Sequence, residues 1–120
     1  MSSAPFDGLA VLEERIDEEG WHARVRVEPA SRAFDGHFDA DPILPGIAHL
    51  VLVGHGLRTL GGRGATLREL PSVRFREVVR PGDVLDVVVA RPDSEGRSRF
   101  AVRRGARLAV TGTARAGIDA

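Results

Sequence analysis

The chain has 120 residues, 42% of them hydrophobic, enough for one buried core but not for two. Its 17 basic residues balance 17 acidic ones, so the overall charge argues against a domain that lives on nucleic acid or anionic lipid. The absence of cysteine excludes disulfides, thiolate metal sites and cysteine nucleophiles, and no apolar run approaches the roughly 20 residues needed to span a bilayer.

Every basic residue is arginine, and lysine, asparagine, glutamine and tyrosine are all missing. No lysine can therefore form a Schiff base, and no amide or phenol side chain can build an oxyanion hole. The opening Met1-Ser2-Ser3-Ala4-Pro5 lacks the basic and apolar regions of a signal peptide, so a cytoplasmic protein is expected. No repeat or linker-like stretch interrupts the chain, and residues 1–120 read as a single domain.

In chain order, Leu9–Ile16 fits either a helical face or a short strand. The next segment alternates Trp21, Ala23, Val25 and Val27 with His22, Arg24, Arg26 and Glu28, the period of a half-buried strand. A hairpin through Asp17-Glu18-Glu19-Gly20 joins the two most economically, which makes the first a strand. Residues 29–46 carry Pro29, Gly36, Pro42, Pro45 and Gly46, a density no long helix or central strand tolerates. The same stretch holds Phe34, Phe38, Ile43 and Leu44, and an apolar, proline-stiffened loop of this length suggests function.

A helix is expected from Pro45 or Gly46 to about Leu60, closed by Gly61-Gly62. Ile47, Ala48, Leu50, Val51, Leu52, Val53, Leu57 and Leu60 leave it little polar face, so it should be buried nearly all round. Strands are then expected over Leu70–Arg80 and Val84–Ala90, around Phe100 and Val102, and around Leu108 to Ala114. Turns at Pro81-Gly82-Asp83, Pro92–Gly96 and Arg104-Gly105 separate them. The pattern is α+β, an antiparallel sheet wrapped around one helix.

Two stretches then carry a resemblance. Ala33-Phe34-Asp35-Gly36-His37-Phe38-Asp39-Ala40-Asp41-Pro42-Ile43-Leu44-Pro45-Gly46 resembles the signature loop of the 3-hydroxyacyl-(acyl carrier protein) dehydratases, approximately G-H-F-P-x-x-P-x-x-P-G. Val73-Arg74-Phe75-Arg76-Glu77-Val78-Val79-Arg80-Pro81-Gly82-Asp83 is similar to that family's V-x-F-x-x-x-V-x-P-G-D strand and turn. With the matching element order, the resemblance covers most of the chain. The Pro-Ile-Leu-Pro-Gly wording sits nearer the small dehydratase-like proteins of aryl-polyene and polyketide clusters.

The resemblance implies a hotdog fold, paired as a dimer with tunnels at the interface. It implies that His37 removes the α-proton of a 3-hydroxyacyl thioester and that the Gly46 backbone N–H binds the thioester carbonyl. The chemistry fits: an enolate-like charge needs a donor, which an exposed N–H at a helix N-terminus supplies, and histidine transfers protons near neutral pH. The acyl chain would lie by Val51, Phe34 and Phe38, delivered on the phosphopantetheine of an acyl carrier protein, with no metal or redox cofactor.

The chain departs from the family at one position. The family places a Glu or Asp 14 residues after the histidine, on the helix and acting in the partner subunit's site, to help the hydroxyl leave; here that residue is Val51. One turn on, where glutamine is common in the family, stands His55, with Arg58 on the same face. Three readings stay open. His55 replaces the acid; Asp39 or Asp41 does; or the chain is an acyl-binding or partner subunit of a heterodimer whose other chain supplies the acid. Hotdog thioester hydrolysis is a lesser alternative.

The remaining histidines read as structural. His49 lies about 200° round the helix from Val51 and should point away from the site, and His22 sits on the polar side of its strand. No helical His pair with metal-binding spacing occurs. Arg97, Arg99, Arg103, Arg104 and Arg107, and separately Arg74, Arg76 and Arg80, form solvated faces or docks for an acidic carrier protein. Aromatic stacking residues are too few to favour nucleic acid.

Overall fold

The structure is a computed structural model that describes residues 8–28, 44, 46–61 and 65–118. His37, Phe34, Phe38, Asp39 and Asp41 lie outside the described residues. The elements are β1 (Leu9–Ile16), β2 (Gly20–Val27), α1 (Gly46–Gly61), β3 (Ala65–Phe75), β4 (Val84–Ala90), β5 (Arg97–Arg104) and β6 (Arg107–Ile118). The six strands form one antiparallel sheet in the order β1-β2-β4-β5-β6-β3, with α1 packed on one face. This is the arrangement the element pattern implies.

Alternation sets which face is buried. Trp21, Val25 and Val27 of β2, Leu85, Val87 and Val89 of β4, and Phe100 and Val102 of β5 all turn inward. They meet Ala48, Leu52, Val53 and Leu57 of α1. Short turns hold the hairpins. In the first, the Asp17 carboxylate contacts the His22 ring and accepts the N–H groups of Glu19 and Gly20, which holds its pKa below the usual carboxylate range. His22 is thus tied into the turn rather than simply facing solvent.

The first hairpin contains the irregularity that matters most for the site. Val11 pairs with Val25, but Glu13 pairs with Arg24, so Leu12 is bulged out of register. Because strand side chains alternate, one extra residue reverses which of the following residues face inward. Glu14 opposes Ala23 and Ile16 opposes Trp21, both on the inner face of β2, while Leu12 is exposed. Plain alternation from Val11 would have put Glu13 and Arg15 there.

Two expectations differ from what is observed. The strand expected over Leu70–Arg80 instead spans Ala65–Phe75. Among the described residues it sits at the edge of the sheet and pairs only with β6, with register shifts between Leu67 and Ser72. Pro71 falls within that irregular stretch, where its missing N–H breaks no regular ladder. Beyond Phe75 the chain leaves the ladder, with the N–H groups of Arg76 and Glu77 both donating to the Ala109 carbonyl. The helix, second, is not buried all round. One sheet covers one side, burying Ala48, His49, Leu52, Val53, Gly56 and Leu57, while Ile47 is 68% exposed and Leu50 and Val51 are half-buried.

Candidate active site

The start of α1 is clamped from the side of β3. The Leu44 N–H donates to the Val79 carbonyl at 2.6 Å, anchoring the chain just before the helix. The Phe75 ring covers the first turn so closely that a Cβ on Gly46 would stand 2.9 Å from its Cζ. A larger residue here would have to displace the tip of that ring. As the first helical residue, Gly46 has an N–H with no acceptor within the helix, and the helix dipole adds a partial positive charge at that end.

From this end a groove of about 480 Å³ runs between α1 and β3. Ile47, Leu50, Val51 and Gly54 form its helix wall, Thr66, Leu67, Arg68, Glu69 and Leu70 line its strand wall, and Arg58 lies toward the far end. Gly54 adds no bulk, and a Cβ there would meet nothing within 4 Å. The groove is thus mainly apolar with charged residues at its margin, begins one residue past Gly46, and has Val51 in its wall.

His55 follows Val51 by one turn but faces the other flank of the helix. Its ring stands edge-on to Trp21, with centroids 5.4 Å apart, and its Nε2 lies 3.5 Å from Oε1 of Glu14. The same oxygen accepts the Trp21 Nε1–H at 2.8 Å. Glu14, Trp21 and His55 therefore form one connected group. Gly56 lets it close up, because a Cβ there would come 2.6 Å from Trp21. Glu14 escapes a reading of the sequence because only the Leu12 bulge turns it toward the helix.

His49 takes a different environment. It is 2% exposed, its ring centroid lies 6.1 Å from that of Phe75, and its Nδ1 has no partner among the described residues. Burial lowers its pKa to about 4, so it is neutral near pH 7. The described part of the site thus has Val51 in the groove wall, Gly46 under Phe75 at the helix start, and His55 and Glu14 on the other flank of the helix. Among the described residues no cluster of His, Cys, Asp or Glu could hold a metal ion, and no helix is long and apolar enough to cross a membrane.

Comparisons with known proteins bear on this arrangement. The chain is 39% identical over 74 residues to the 3-hydroxyacyl-[acyl-carrier-protein] dehydratase FabZ of Latilactobacillus sakei, covering 56% of this chain and 53% of that protein. It is 34% identical over 92 residues to the FabZ of Enterococcus faecalis, covering 68% and 62%. The chain thus spans about half the length of the curated relatives it matches. Among solved structures, the dehydratase heterocomplex ApeI:P from Xenorhabdus doucetiae superposes with a TM-score of 0.80 at 21% identity, covering 88% of this chain and 95% of that one. An uncharacterized protein from Erwinia carotovora superposes with a TM-score of 0.71 at 24% identity, covering 90% and 94%. These likenesses establish the hotdog fold. The family model for the ApeI dehydratase matches residues 13–113, from within β1 through the signature loop and the helix to within β6, and the chain belongs to the ApeI-like dehydratase family.

Proposed function

We propose that the chain dehydrates a 3-hydroxyacyl thioester carried on the phosphopantetheine arm of an acyl carrier protein, giving the enoyl thioester and water. The observation that carries this reading is a mainly apolar groove between α1 and β3 that holds Val51 and begins at Ile47, the residue after the helix-start Gly46, in a chain of a dehydratase family. In this reading the Gly46 N–H holds the thioester carbonyl, so that the charge arising on removal of the α-proton falls on a preorganised donor. His37 takes that proton, and Phe34, Phe38 and Val51 border the acyl chain. Residues 1–120 act as one domain in the cytoplasm, and the reaction calls on no metal or redox cofactor.

A specific observation supports a second reading. The helix position that bears an acid in the resembling dehydratases is Val51, in the groove wall, and exposed Ile47, Val73 and Phe75 lie near the unpaired edge of β3. A second hotdog chain on this face would cover the apolar surface and contribute the acid, and the neighbour from Xenorhabdus doucetiae is itself a dehydratase heterocomplex.

Purified protein offered a 3-hydroxybutyryl carrier-protein thioester separates these readings. Turnover, seen as loss of one water in the intact mass, supports the first when it falls by about 10²–10⁴ in His37→Ala, the usual worth of a general base. Turnover only after adding a second hotdog chain supports the second. Release of free acid identifies hydrolysis instead.

A further inference from the structure

The groove between α1 and β3 changes character along its length. A Cβ on Gly46 would touch the Phe75 ring, and one on Gly61 would stand 2.9 Å from the Ala65 Cβ. β3 therefore runs antiparallel to the helix, and its first residues lie by the helix C-terminal end. Ile47, Leu50 and Val51 belong to one end of the groove, and Arg58, Thr66 and Arg68 to the other. From Ile47 to Arg58 the helix wall rises about 16 Å.

The polar end carries unbalanced positive charge. Among the described lining residues the only acid is Glu69, and it lies 3.8 Å from Arg115. Arg68 has a partner of its own, and its stem lies against Gly117. The Arg58 guanidinium makes no ion pair or hydrogen bond with a described residue. Arg58 follows Gly54 by one turn, and long helical side chains lean back over the preceding turn. Gly54 leaves that space open, since a Cβ there would meet nothing within 4 Å. A cation in the last turn also suits the helix dipole, but an arginine pointing in any direction would do that. The dipole does not account for a place in the groove lining.

A guanidinium offers N–H donors and no acceptor, in a fork that matches a carboxylate. Resting on the dehydratase reading above, in which the acyl chain lies along this groove from the Gly46 end, we propose that Arg58 anchors the far end of the chain and that the preferred substrates are acyl thioesters ending in a carboxylate. The apolar stretch takes the methylenes, and the guanidinium takes the terminal charge.

The test is one of binding and needs no turnover. Acyl-pantetheines from hexanoyl to tetradecanoyl, and the same series with a terminal carboxylate, are titrated into the full chain by calorimetry. At the length that spans the groove, the carboxylated ligand should bind about tenfold more tightly than its plain counterpart. At shorter lengths that advantage should shrink. Arg58→Gln should erase it and leave the plain series unchanged; Arg58 is exposed, so the fold tolerates the change. Gly54→Leu, which fills the groove in front of Arg58, should weaken the long chains of both series.

A carboxylate advantage that is equal at every length is attraction to the surface and overturns the proposal. So does an advantage that survives Arg58→Gln, or no advantage at any length. If neither series binds while a 3-hydroxybutyryl carrier-protein thioester is still dehydrated, the inference alone fails. If neither series binds and that thioester is not turned over, alone or with a second hotdog chain, the dehydratase reading fails with it.

Discussion

His49 and His55 share one helix and live in opposite environments, and the contrast has a consequence for stability. Burial lowers the pKa of His49 to about 4 from an ordinary 6.5, so the unfolded chain binds a proton that the folded one refuses. Its effect on stability is absent well above pH 6.5 and grows as pH falls from there to about 4. The full loss is on the order of 3 kcal/mol. Urea unfolding at pH 7.5 and pH 5 should therefore show a drop that is smaller in His49→Leu; equal drops would contradict the buried, neutral state. At this scale the sequence makes the helix start at Gly46 legible through its proline–glycine pair. It was silent on Glu14, because the bulge at Leu12 arises from pairing and not from composition. The placement of His49 away from the groove was legible from helical angle alone; its burial was not.

At the scale of elements, two glycines of α1 predict opposite outcomes. Gly56 lies under Trp21 and Val89, and a Cβ would come within 2.6 and 2.8 Å of them. Gly56→Ala should therefore destabilise the protein by about 1–3 kcal/mol through overpacking, despite the gain in helix propensity. Gly54 faces the open groove, so Gly54→Ala should raise stability by up to about 1 kcal/mol. Thermal unfolding of the two variants checks the pair, and a shared sign would contradict the packing of helix on sheet described here. The strands with clean alternation, β2, β4 and β5, are readable because one of their faces is buried and the other is not, whereas β6 breaks alternation at Ala109 and Val110, both buried beside a register shift with β5. β3 starts at Ala65, five residues before the Leu70 that the apolar pattern suggests. Its edge position leaves both faces partly exposed, and Pro71 with the shifted register erases the alternation.

At the scale of the molecule, one sheet cannot bury a helix that is apolar nearly all round. Ile47 is 68% and Phe75 51% exposed, beside the unpaired edge of β3. Exposed apolar residues along a free sheet edge favour pairing with another chain. A second hotdog chain, identical or not, is the occupant the account predicts, and Ile47→Glu should weaken that assembly. Sedimentation velocity at micromolar concentration would show the sedimenting species shift toward the single chain; a wild-type protein that is already monomeric, alone and with its partner, would contradict it. The helix-in-sheet plan was legible because turns and alternation mark it, but the open side of the helix was not, since sequence hydrophobicity does not distinguish a core from an interface.

The most direct measurement of the central claim is the reverse reaction, with a crotonyl carrier-protein thioester incubated in oxygen-18 water and the product read by mass. Heavy oxygen is expected in the 3-hydroxyacyl group with the thioester intact, and its incorporation should be lost in His37→Ala. Heavy oxygen only in a released carboxylic acid, or no labelled 3-hydroxyacyl product even with a second hotdog chain present, would contradict it.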